Sequence, residues 1–252
     1  MILGLYAAAN GMMSVEERQS VIANNIANAM TPGFKRQGGV QKGFYQVFQS
    51  SRSSPLRFNV SSAPGGGVKL FETYTNLENG AITTNGDPLS VALSGPAYIG
   101  VDTPKGERFT RNGKFAVDTD GQLVTPEGYK VQSASGSGIS VSGGSVEIDD
   151  KGNVSVNGET VGQIRLIEFE KPQLLSREGQ NLYAASADVL KFSAPATKTQ
   201  VAPKSIELSN VQTPAEMVNM MIGLRAYAAN QKVINAIDDT MGQLIQQVGS
   251  PI

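Results

Sequence analysis

The chain has 252 residues, 40% hydrophobic and 17% charged, with a formal net charge of −1. Nucleic acid and acidic membrane surfaces both recruit a concentrated positive charge, which this composition does not supply. Cysteine, histidine and tryptophan are absent, which removes disulfides, iron–sulfur clusters, thiolate and histidine catalysis, and the usual zinc sites.

The first stretch, MILGLYAAANGMM, is apolar but has no Lys or Arg ahead of it, so a cleaved signal peptide is not expected. Nothing in the chain approaches the ~18–20 apolar residues of a membrane span, so no membrane insertion is expected. Read at a seven-residue period, Leu5, Met12, Gln19 and Ile26 fall in one register and Ala8, Val15, Ile22 and Ala29 in the other. That alternation predicts a helix from about Ile2 to Ala29 packed along another helix. Three asparagines, Asn24, Asn25 and Asn28, crowd its end, although short amides compete for backbone groups in a helix interior. Thr31-Pro32-Gly33-Phe34 then stops the helix, with proline suited to the first corner of a turn and glycine to the second.

Residues 37–67 are rich in Ser, Gly and Gln and read as an extended connector. Short β-type runs follow, among them VKLFETY, PLSVAL, AYIGV, RFT, KFAV, SVEI, NVSV and VGQIRLIEF. Asn112-Gly113, Asp120-Gly121, Glu127-Gly128, Lys151-Gly152 and Asn157-Gly158 separate them as turns. Residues 68–205 are therefore expected to form an antiparallel all-β domain.

A last helix is predicted from about Pro214 to Val248. Thr213-Pro214-Ala215-Glu216 supplies an N-cap threonine, a first-turn proline and the glutamate of a capping box. Met217, Leu224, Gln231, Asp238 and Ile245 form one register, and Met220, Tyr227, Ile234, Met241 and Val248 the other. The two helices could pair with each other, with neighbouring copies, or both; the alternative is that they fold back on the β domain. The expected class is α+β, with long N- and C-terminal helices forming a coiled-coil-like helical domain and a central antiparallel all-β domain. The expected divisions are residues 1–36, 37–67, 68–205 and 206–252.

No catalytic, cofactor or metal constellation emerges. SASGSGISVSGGS fits neither phosphate-loop spacing, and DTDG and DDKGN lack the later ligands of a calcium loop, so both read as turns. No Ser-x-x-Lys occurs, and the spacing of the 22 acidic residues selects no carboxylate pair.

The stretch NNIANAMTPGFKR resembles the N-terminal signature of the flagellar rod and hook axial proteins, matching at Asn24, Asn25, Ile26, Ala27, Asn28, Thr31, Gly33, Phe34, Lys35 and Arg36. Ala23 replaces the family's usual serine. IELSNVQTPAEMVNMMIGLRAYAANQKVI is similar to the C-terminal signature through Glu207, Ser209, Asn210, Val211, Glu216, Met217, Val218, Asn219, Arg225, Ala226, Tyr227 and Asn230. Lys204 stands where the family usually has glycine. The block from Pro88 to Val131 resembles the family's β domain, with Pro96-Ala97-Tyr98-Ile99 in place of a common Gly-Phe-Phe run. Residues 40–70 are not covered.

The resemblance implies a rod subunit rather than the larger hook protein, with the proximal rod expected and the distal rod as the alternative. It implies a tube that transmits torque from motor to hook across the periplasm, export by the flagellar type III apparatus without a cleaved signal, and no enzymatic activity. Implied partners are the chain itself, other rod proteins, and hook or ring neighbours. Expected subunit-interface residues are Leu5, Met12, Val15, Ile22, Asn25, Ile26, Asn28, Pro32, Gly33, Phe34, Asn210, Met217, Met220, Leu224, Tyr227, Ile234, Met241 and Ile245. On this reading the asparagine amides bond across a subunit boundary or to the chain entering the TPGFKR turn, and Asn25→Leu or Asn28→Leu folds but polymerises poorly. Two classes compete: a polysaccharide-binding β module with helical arms, although only 6% of the chain is aromatic, and a soluble homo-oligomer unrelated to flagella.

Overall fold

The computed structural model describes residues 2–43 and 68–249. The chain divides into two compact units: Met1–Ala27, Gln37–Thr75 and Gln212–Ile252 in one, Asn28–Arg36 and Asn76–Val211 in the other. These boundaries differ from the expected ones. The TPGFKR turn belongs with the β unit, and the strand VKLFETY belongs with the helices.

In the helical unit the N-terminal helix runs Ile2–Ala27 and the C-terminal helix Thr213–Gly249. At about 1.5 Å per residue the second is about 55 Å long. The first ends before Ala29 because Asn28 starts the turn: Thr31 N donates to Asn28 O at 3.1 Å, and the Thr31 hydroxyl to Asn28 Oδ1 at 3.2 Å. The helices run antiparallel, with Gly4 beside Ile237, Gly11 beside Asn230, Gln19 beside Gly223 and Asn25 beside Glu216. Small and polar residues thus line much of the contact, and the expected apolar seam is present in part, with Met12, Val15, Ile26, Met220 and Ile234 half-buried. Ala8 and Ile22 are buried, whereas Leu5, Met217, Leu224 and Ile245 are exposed. Glycine and alanine let two helix backbones approach closely enough for Gln19 Nε2 to reach the Met220 carbonyl at 2.9 Å.

The helical unit also contains an antiparallel strand pair, Gln37–Gly43 with Val68–Thr75, bulged between Val40 and Gln41. The start of the expected connector is therefore strand, and its remainder at 44–67 lies outside the described residues. A side chain at Gly38 would collide with the Tyr74 ring on the partner strand, so glycine suits that position.

Every strand pair in the β unit is antiparallel. Its largest sheet is ordered Ser176–Arg177, Leu182–Ala184, Gly106–Thr110, Tyr98–Thr103, Lys130–Val131, Leu123–Val124 and Ala116–Val117. The run VGQIRLIEF, expected as one strand, divides into Glu159–Gln163 and Leu166–Phe169 where it changes partners, from Asn153–Val156 to Tyr98–Thr103, with Ile164 bridged to Ser133 between them. One apolar core gathers Val91, Leu93, Ile99, Val101, Leu123 and Val131; a second gathers Tyr98, Phe109, Phe169 and Tyr183. In the second, Phe109 and Phe169 meet edge to face at 4.9 Å, and Tyr98 and Tyr183 at 5.4 Å. Each fully buried side chain of this size contributes about 1.5–3 kcal/mol.

Asn157-Gly158 forms the expected tight turn, with both residues at positive φ. Asn112-Gly113 does not: it lies against strand Val91–Ser94, where a Cβ on Gly113 would strike the Val91 carbonyl. Asp149, from the DDKGN stretch, accepts from Lys151 N, Asn153 N and Asn153 Nδ2 within its own turn. Two late strands close the unit, Gln200–Pro203 on Val91–Ser94 and Ser205–Glu207 on Ile82–Thr84. The second of these carries Glu207 into the interior.

Candidate functional site

Three segments far apart in sequence meet inside the β unit: the TPGFKR turn, the Thr110–Gly113 stretch and the strand ending at Glu207. Phe34, Lys35, Arg111 and Glu207 are all at most 3% exposed. Lys35 Nζ donates to Glu207 Oε1 at 2.6 Å and to the Glu78 carbonyl at 2.8 Å. The same Glu207 oxygen accepts from Gly80 N at 2.9 Å. Arg111 Nη1 stands 3.6 Å from Glu207 Oε2, an ion pair without a direct hydrogen bond, and its guanidinium lies 4.9 Å from the Tyr98 ring centre. Arg177 covers Phe34 at 4.6 Å and donates to the Lys35 carbonyl.

Gly33 makes this convergence possible. Its φ of +68° belongs to the left-handed region, and a Cβ there would run into the Arg111 carbonyl. Its N–H donates to the Glu207 carbonyl at 2.8 Å, and the Pro32 carbonyl accepts from Asn181 Nδ2 at 3.0 Å.

Asn210 ties the chain crossings. Its Oδ1 accepts from Arg36 N at 2.6 Å, and its Nδ2 donates to the carbonyls of Asn76 and Glu78 at 3.0 and 2.9 Å. Those bonds use the donor and acceptor capacity of one amide at three points where the chain enters or leaves the unit.

The electrostatics of the joint are lopsided: one buried carboxylate serves two buried cations. Burial pushes the Lys35 amine below its usual value, with Glu207 opposing the shift. Burial likewise holds the Tyr98 and Tyr183 phenols above theirs, against the attraction of Arg111 and Arg177 respectively. Removing one partner from such a cluster strands a charge in low dielectric, which costs about 3–5 kcal/mol. No atom here is placed as an exposed nucleophile or base; the chemistry of the arrangement is that of a fastener.

A second fastener sits in the helical unit. Asn25, fully buried, accepts from Gln37 N at 2.9 Å and donates to Gln37 O at 2.8 Å, imitating a neighbouring strand. The same Nδ2 lies 3.4 Å from Glu216 Oε2, whose side chain is also buried. The capping-box glutamate thus faces across the helix pair toward Asn25.

The expected interface residues separate into three sets. Ile22 and Asn25 are buried inside the helical unit, and Gly33 and Phe34 inside the β unit, while Pro32 and Asn210 are bonded within the β unit. Met12, Val15, Ile26, Asn28, Met220 and Ile234 are half-buried. Leu5, Met217, Leu224, Tyr227, Met241 and Ile245 are exposed. Both polar atoms of the Asn25 amide are engaged within the chain. Sequence reasoning did not single out Lys35, Arg111, Glu207 or Glu216 as site residues. The available signal was charge in apolar surroundings: Lys35 follows Gly-Phe in a turn, and Glu207 lies between Ile206 and Leu208.

Comparison with known proteins follows the same three segments. Residues 5–35 match the family described as flagella basal body rod protein, residues 92–156 the flagellar hook protein FlgE/F/G D1 domain, and residues 202–247 the flagellar basal body rod FlgEFG protein C-terminal family. The chain is 34% identical to the flagellar basal-body rod protein FlgG of Caulobacter vibrioides, over 94% of this chain and 96% of that protein. It is 31% identical to FlgG of Bacillus subtilis, over 97% and 98% of the two chains. To the flagellar basal-body rod protein FlgF of Mesorhizobium japonicum it is 29% identical, over 98% of both.

Proposed function

We infer the function from one premise: this chain belongs to the flagellar basal-body rod proteins, and it is a structural subunit of that rod. Its terminal helices join copies and neighbours into the shaft that carries torque from motor to hook. The observation that supports this reading is the apolar surface of the helical unit. Met217, Val218, Met221, Ile222 and Leu224 are each at least half exposed within the first four turns of one helix. An apolar helix face of that size is stabilised when another surface covers it. The exposed residues of the expected set, Leu5, Met217, Leu224, Tyr227, Met241 and Ile245, are the ones we assign to subunit contact.

The rod reading carries further consequences for this chain. It crosses the periplasm within the rod and meets other rod proteins, the hook or a surrounding ring, after passage through the type III export apparatus. Position along the rod has two supports. Pro96–Ile99, in place of the Gly-Phe-Phe run, favours the proximal segment, whereas the higher identities to FlgG proteins favour the distal one. An epitope inserted in the exposed Asn157-Gly158 turn and located by gold labelling on purified hook–basal bodies separates them. Label beside the motor ring assigns the proximal rod, label beside the hook the distal rod, and label absent from the shaft contradicts both.

A further inference from the structure

The two helices of the helical unit present outer faces of opposite charge. At about 100° per residue, Met217, Met221, Arg225 and Lys232 fall on one side of the C-terminal helix, roughly opposite the line Glu216, Gly223, Asn230 and Ile237 that meets the N-terminal helix. On the N-terminal helix the same construction puts Tyr6, Met13 and Glu17, with Glu16 at their edge, opposite the line of Gly4 and Gly11, which meet the C-terminal helix, and the buried Ala8 and Ile22. Glu16, Glu17, Arg225 and Lys232 are all exposed. The first outer face is therefore apolar and basic over residues 217–232, and the second apolar and acidic. Asp239 shares the basic side two turns beyond Lys232 and marks the end of that stretch.

We propose that the acidic outer face of the N-terminal helix docks on the basic outer face of the C-terminal helix of a second copy of this chain. Charge decides between the ways two copies can meet. Pairing the basic face with itself sets Arg225 and Lys232 against like charges, and pairing the acidic face with itself does the same to Glu16 and Glu17. Only the unlike pairing covers apolar surface and neutralises charge together. Because it uses different patches on the two copies, it leaves a free patch at each end of the assembly and propagates, as a shaft requires. This inference rests on the rod reading above and gives its helical contact a direction.

The test uses the purified full-length chain and two doubly charge-reversed variants, Glu16→Lys with Glu17→Lys, and Arg225→Glu with Lys232→Glu. None of the four side chains is buried in the monomer, so thermal unfolding of the monomer should be unchanged within a few degrees. Each variant alone should need about tenfold more protein to sediment as polymer. An equimolar mixture of the two should restore polymerisation, because each variant's altered face then meets an opposite charge. Wild-type polymer that forms while both variants polymerise as well as it does overturns the docking scheme and leaves the rod reading standing. So do variants that fail alone and fail when mixed. Wild-type chain that remains monomeric at every concentration overturns self-assembly itself, and the docking scheme with it.

Discussion

Glu207 is the one anion between Lys35 and Arg111, and this asymmetry orders the effects of substitution. Glu207→Gln leaves two buried cations facing each other and should cost about 3–5 kcal/mol, whereas Lys35→Met still leaves Glu207 paired with Arg111 and should cost clearly less. Urea denaturation midpoints of the two variants check this ranking, and equal losses would contradict it. Lys204 offers a second case. It holds φ of +53° between two strands while its carbonyl accepts from Asn85 N and Gly86 N. A left-handed residue with a side chain carries a penalty of about 1–2 kcal/mol. Lys204→Gly should therefore leave stability unchanged or raise it by up to about 1 kcal/mol, because the Lys204–Glu147 pair that is lost is exposed, while Lys204→Val should lower it by about 1–2 kcal/mol. The turn geometry that glycine serves in the family is thus kept here by a lysine. The charged signature residues are visible in the sequence, but their partnership is not. Lys35 and Glu207 are 172 positions apart, and no local pattern reports a contact of that range.

At the scale of elements, both helices are legible because their signals are local: a three-four alternation, a Pro-Gly stop and a threonine–proline start. The strand Gln37–Gly43 is not, since QGGVQKG has no alternation and Val40 as its one β-branched residue, and it owes its conformation to Val68–Thr75 and to Asn25. Asn25→Leu should then act on the fold before it acts on assembly. It strands the polar groups of Gln37 beside a buried Glu216, at a cost of about 2–4 kcal/mol. Hydrogen exchange of the monomer should show faster exchange across residues 37–40, and unchanged protection there would return Asn25 to a role between subunits. In the aromatic core, Tyr98 and Tyr183 titrate above their ordinary values because they are buried. The unfolded chain loses phenol protons near pH 10 while the folded chain keeps these two, so stability should fall as pH rises above about 10. Lys35 works the other way: its lowered value makes the folded chain bind fewer protons just below about pH 10.5, and that contribution is complete once both states are neutral. Of the seven tyrosines, two should ionise only with unfolding when absorbance is followed through alkaline titration. Seven phenols titrating together near pH 10 in the folded chain would contradict their burial.

For the whole molecule, the α+β class and the antiparallel β domain between two terminal helices could be read from hydrophobic period and turn residues. The division of the chain could not. The chain passes between its units at 27/28, 36/37, 75/76 and 211/212, and beside three of these points Asn210 bonds Arg36 N and the Asn76 carbonyl, contacts that are long-range. The signature segments divide between the units: Asn28–Arg36 and residues 207–211 fold into the β unit, while residues 24–27 and 216–230 lie on the helices. Residues of these segments bond within each unit, and on the proposed reading the exposed helix faces are left for neighbouring subunits. That separation of roles rests on the chain being a component of the rod. Electron microscopy of basal bodies from cells lacking only this chain tests the point most directly. The account predicts inner-membrane rings with the rod interrupted and no hook or filament beyond it. Complete hook–basal bodies in those cells would contradict it.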